Sequence, residues 1–165
     1  AFRNRMYRTE KRPEYDPRLY RCLEGYIELN GMRVFALFDS GSTFDSITPS
    51  VAMQIKADEF QFPRSVKVQL ATKGSHTALA RGTYAQCRFG PVDTTHYFDI
   101  SNIDHYDCVL GMPFLAKHDV VLRPRNRLIE VGEKFSMPAI EEGARLKSWS
   151  QTQRPTGSAP KTATK

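Results

Sequence analysis

Between Val34 and Phe38 five apolar residues run without interruption and deliver an acid, Asp39, into the turn Ser40-Gly41-Ser42-Thr43. A strand that is apolar throughout must be covered on both faces, so this run predicts an interior strand at the centre of the fold. Asp39 then stands at the mouth of the core. Gly41 permits a sharp turn, and the hydroxyls of Ser40 and Ser42 can bond a carboxylate or the turn backbone. The plain alternative is an ordinary Asx or Ser turn at a strand end. A phosphorylation-dependent degradation signal, another reading of Asp-Ser-Gly, needs an exposed segment and a serine three residues past the glycine, where Phe44 stands.

The chain of 165 residues has room for one domain of roughly 100–120 residues with flanking segments. Its net charge of +6 invites a nucleic-acid reading until the charges are located. From Tyr20 to Glu133 there are 12 basic and 13 acidic residues, so the excess of positive charge sits in the flanks. Nucleic acid is thus a partner only through the tails. Residues 1–18 read as a flexible basic arm, 19–135 as the folded domain and 136–165 as a flexible tail, with linker composition plainest from Ser148 onward. Cys22, Cys87 and Cys108 are odd in number and widely spaced, without the clustered His a zinc site requires. They read as buried small apolar residues in a reducing compartment. Neither a metal nor a cofactor is expected. With no apolar run of membrane-spanning length and no secretory start, the expectation is a soluble, intracellular, cytoplasmic protein that does not engage membranes.

The body reads as strands punctuated by turns. Cys22 to Leu29 alternate and end at Asn30-Gly31, a strong hairpin signal, which pairs this strand with the one carrying Asp39. A short strand over 44–48 leads to Thr48-Pro49, an N-cap with proline at the first helical position, and a short helix to about Lys56. Strands are expected over 65–71, back through Leu79, over 84–89 and over 92–100. Between the first two lies the turn Thr72-Lys73-Gly74-Ser75. The Lys73-Gly74-Ser75 piece lacks the upstream glycine of a phosphate loop. Asp107 to Gly111 form a compact strand, 113–117 a helical turn, and 120–122 with 128–131 a closing hairpin. His76, His96, His105 and His118 have no ligand partners at useful spacing and read as surface or hydrogen-bonded residues. The fold class is all-β, a small closed barrel with one or two short helices.

Asp39-Ser40-Gly41-Ser42-Thr43 after an apolar strand, a glycine-bearing hairpin about thirty residues on, and Val109-Leu110-Gly111 before a short helix occur here in that order. This ordered set resembles the retropepsin-like aspartic proteases. The wording Tyr106-Asp107-Cys108-Val109-Leu110-Gly111-Met112-Pro113-Phe114-Leu115 is most similar to proteases of gypsy-type long-terminal-repeat retrotransposons and their domesticated relatives. The resemblance covers roughly residues 19–131.

The resemblance implies an aspartic endopeptidase with half an active site per chain, because only one Asp-Ser-Gly turn is present. Asp39 would be catalytic and would require a homodimer, with a two-fold axis between the paired acids. The substrate would be polypeptide, including the polyprotein that contains the chain. Ser40 would tie the two turns together across the axis, and Ser42 could donate to the Asp39 carboxylate, while Gly41 and Thr43 complete the supporting loop. Thr72, Lys73, Gly74 and Ser75 would form the tip of a flap over substrate, and Val109, Leu110 and Gly111 a wall of the binding site. The chain departs from retroviral members at Met112-Pro113, where those have Arg-Asn, and from retrotransposon relatives at Arg123-Pro124-Arg125-Asn126-Arg127, where those often have an acid and a tryptophan. Two other readings stand beside the protease: a catalytically silent module for dimerisation or interaction, and a nucleic-acid binder acting through its basic tails.

Overall fold

The computed structural model describes residues 8–140. Residues 1–7 and 141–165, which hold parts of the expected arm and tail, lie outside the described residues. The arm runs into a one-turn helix α1 (Pro17–Tyr20) before the first strand, β1 (Leu23–Leu29). Asn30 and Gly31 take positive φ of 47° and 82°, the backbone a two-residue hairpin turn demands. The chain returns as β2 (Met32–Phe38), antiparallel to β1 with Leu29 opposite Met32. Val34, Phe35, Ala36 and Phe38 are buried, so the apolar run is covered on both faces as its pattern predicts.

Next come β3 (Ser46–Ile47) and α2 (Pro49–Gln54), whose Val51 N–H donates to the Thr48 hydroxyl at 3.1 Å. A long hairpin follows, β4 (Glu59–Gln69) and β5 (His76–Phe89), and then β6 (Val92–Ile100), β7 (Cys108–Leu110) and α3 (Met112–Lys117). β8 (Val120–Arg123), β9 (Leu128–Val131) and β10 (Phe135–Pro138) form a separate antiparallel sheet of three strands.

The larger sheet has the order β1-β2-β7-β3-β6-β5-β4, and β5 also pairs with β1 through Glu28 with Arg88 and Leu29 with Cys87. Six strands therefore make a ring, with β4 attached outside it on β5. The all-β class with short helices holds. Within the ring β2–β7 and β3–β6 run parallel, and the first of these brings Phe38 level with Leu110. The core inside is dominated by Leu29, Ile47, Phe98, Leu110 and Phe114, all fully buried.

Several boundaries differ from the sequence expectation. β4 begins at Glu59 because an irregularity between Gln61 and Val66 absorbs Pro63, which lacks a ladder N–H. β5 is one strand of 14 residues where two were expected. Residues 136–140, expected to belong to the tail, pack on the folded body. Ser136–Pro138 pair with Leu128–Glu130, Ala139 is buried, and the Ile140 N–H donates to Glu24 O at 3.0 Å. Phe135 and Met137 supply the reason, since both pack on the core. Cys87 and Cys108 are buried as expected, whereas Cys22 is exposed. No helix among the described residues is long and apolar enough to cross a membrane.

Candidate active site

The parallel register of β2 and β7 puts the Asp39 turn beside Gly111. The Asp39 N–H donates to Leu110 O at 2.9 Å, and the Met112 N–H donates to Ser42 O at 2.8 Å. A Cβ at Gly111 would lie 2.5 Å from Phe44 O and 2.7 Å from Ser42 O, so only glycine lets these two segments approach. The turn closes on itself through Ser42 N–H to Asp39 O at 3.2 Å.

The Asp39 carboxyl is half-buried and accepts from the Gly41 N–H at 2.8 Å through Oδ1. It lines a cleft of about 560 Å³ whose floor includes Gly41, Ser42, Thr43 and Val109. The opposite wall is the turn-proximal end of the β4–β5 hairpin, with Val68, Gln69, Leu70, Ala71, His76 and Thr77. Of the expected flap residues, Thr72, Lys73, Gly74 and Ser75 sit at the hairpin tip and do not line this cleft. Their turn is held by Ser75 N–H to Thr72 O at 3.0 Å, and the Gln69 amide donates to Ser75 O at 2.9 Å. Leu110 is buried behind the floor, leaving Val109 as the member of the apolar pair that faces the cleft.

Ser42 does not donate to Asp39. Its hydroxyl donates to Phe44 O at 2.7 Å, because the turn directs it along its own strand. Ser40 is exposed and faces a second groove, of about 720 Å³, on the other side of Asp39. Leu37, Met112, Leu115 and Val121 line that groove, and Asp39 opens onto both hollows.

Sequence reasoning missed Asp45. This acid is buried directly behind the turn; Oδ1 accepts from the Gly111 N–H and Oδ2 bonds His96 Nε2, each at 2.6 Å. The His96 ring stands edge-on to Phe98 and Phe114. Nothing in local spacing links residues 45 and 96; only the parallel β3–β6 pairing joins them. Asp107 is a second buried acid, accepting from the Phe35 N–H at 3.0 Å and so pinning β7 to β2. Burial pushes the Cys87 thiol up to about 12 and raises Cys108 as well, which makes both core residues and not nucleophiles. In the 123–127 turn, Arg123 pairs with Glu130 and the Arg127 guanidinium donates to Arg21 O and Cys22 O. No three His, Cys, Asp or Glu among the described residues stand together as a metal site.

At the level of sequence, no family model matches the chain and no curated protein matches it. Structure comparison does find similar folds. The retroviral protease-like domain of Ddi1 from Leishmania major superposes with a TM-score of 0.55 at 12% identity, over 76% of this chain and 99% of that one. The fold is retropepsin-like. EIAV protease complexed with the inhibitor HBY-793 also matches, with a TM-score of 0.48 at 14% identity, over 67% of this chain and 99% of that one. In this retropepsin-like frame the elements meeting at Asp39 are the end of β2, the end of β7 and the turn-proximal end of one long hairpin.

Proposed function

We propose that the chain is an aspartic endopeptidase that works as a homodimer, with Asp39 and its counterpart in a second copy forming the catalytic pair. The observation that carries this is the place of Asp39: a carboxyl fixed by a backbone N–H at the bottom of a cleft, under a hairpin, in a retropepsin-like fold. The other acid lining the cleft, Asp104, is almost wholly exposed and pairs with His105 at 3.3 Å. In this reading the second carboxylate comes from another copy of the chain. The apolar groove bearing Ser40, Met112 and Val121 adjoins Asp39 and supports that approach.

Two carboxyls held a few Å apart cannot both ionise cheaply, so they share one proton and titrate as a unit. The ionised member takes a proton from a bound water, which attacks the peptide carbonyl, while the protonated member donates to the carbonyl oxygen. Substrate would lie extended between the floor and the end of the hairpin, its backbone read by hydrogen bonds and its side chains by pockets. Val68, Leu70, Ile103 and Val109 favour apolar side chains there. A polyprotein containing the chain is the natural substrate in this reading.

The test is peptide cleavage by purified protein with Asp39→Asn as control. Loss of cleavage by on the order of a thousandfold is expected, and cleavage undiminished in the mutant would sink the proposal. Specific activity should also fall on dilution through the dimer dissociation constant, which an activity assay run beside sedimentation would detect.

A further inference from the structure

We propose that Asp45, clamped by His96, is a positioning residue for the Asp39 turn; the inference rests on the proposed Asp39 chemistry. The Asp45 carboxyl is buried, with both oxygens engaged. Oδ1 holds the Gly111 N–H, and the groups flanking Gly111 are the two that hold the turn: Leu110 O accepts from Asp39, and Met112 N–H donates to Ser42 O. One carboxylate thus fixes a backbone stretch from which the catalytic turn hangs at both its ends. The Asp45 carbonyl adds a further tie, accepting from the Asp99 N–H at 2.9 Å.

His96 sets the carboxylate's direction. An ionised Asp45 only accepts, so His96 Nε2 carries the proton between them. The ring cannot swing away, because Phe98, Phe114 and His118 surround it at centroid distances of 5.0, 5.3 and 5.9 Å. A shift of about 1 Å at a reacting group can cost on the order of a hundredfold in rate, so a lock of this kind acts on turnover more than on substrate affinity. Asparagine at position 45 can keep both contacts, its oxygen on the Gly111 N–H and its amide on an unprotonated His96 Nε2. Alanine keeps neither.

The experiment compares full-length wild type, Asp45→Asn and Asp45→Ala by peptide cleavage and by amide hydrogen exchange. Expected are a kcat lower by roughly a hundredfold in Asp45→Ala with KM within about threefold, and recovery to within about tenfold of wild type in Asp45→Asn. Exchange in Asp45→Ala should quicken at Asp39, Gly111 and Met112 and stay unchanged in β8 and β9. Equal kcat loss in both variants, an unchanged kcat in Asp45→Ala, or exchange quickened uniformly over the chain would each overturn the positioning role. If Asp45→Ala does not fold, His96→Leu, which removes the donor to Asp45, replaces it, with kcat lowered in the same direction and exchange quickened at the same three amides. Absence of cleavage in wild type would count against the Asp39 chemistry instead, and the local exchange pattern would still decide whether Asp45 holds the turn.

Discussion

Asp39 and Asp45 stand six residues apart on one loop and could hardly be treated more differently. Asp39 faces a cleft and receives one backbone N–H, with its remaining acceptor capacity open to whatever enters. Asp45 is buried and has both oxygens committed, to Gly111 and His96. A carboxyl meant to exchange protons must keep access to water and ligand, whereas a buried charge must be fully partnered to be tolerated at all. One short loop thus separates reactivity from support.

The sharpest way to break that contrast is to neutralise each acid's setting in turn. Asp39→Asn should leave the thermal midpoint unchanged within about 2 °C, since it removes no buried partner, while the cleavage assay registers the full loss. His96→Leu should move stability as well as turnover. It strands Asp45 in the interior and should lower unfolding free energy by about 3–5 kcal/mol in a urea titration; a loss below about 1 kcal/mol would put Asp45 on the same footing as a surface acid. Gly111→Ala probes the joint between the two, where the added methyl meets carbonyls of Phe44 and Ser42, and should cost about 1–3 kcal/mol by the same measurement.

The smallest effect is one of pH. Burial, with help from His96 and Lys117, lowers the His118 pKa below its ordinary 6.5. The unfolded chain then takes up that proton more readily than the folded one, so stability should decline as pH falls through about 6.5. Replacing His118 with Gln should flatten this slope, as read from thermal midpoints between pH 7 and 5.

Much of the site's frame was legible. The apolar run before Asp39, the Asn30-Gly31 turn and the Thr48-Pro49 cap each encode their structure within a few residues. What escaped depends on distant partners. Two strands were expected where β5 runs unbroken through Gly82, which pairs with Phe60 on one side and Asp99 on the other and leaves room for the Tyr97 ring. β10 is short and unmarked by pattern; it forms because Phe135 and Met137 find the core. Asp45 reads as one polar position of a short strand until the ring brings His96, 51 positions later, against it. The residues of the hairpin that meet the cleft are those just behind the turn and not the turn itself, which local turn chemistry does not encode.

The closing strand returns to where the body starts. Ile140 bonds Glu24, Ala139 bonds Arg127, and the Arg127 guanidinium holds the carbonyls of Arg21 and Cys22. Entry and exit of the folded body therefore sit side by side, fastened by a staple built on one arginine. Tension applied to the two ends would be borne first by that staple, and the ring behind it would carry no load until the staple had given way.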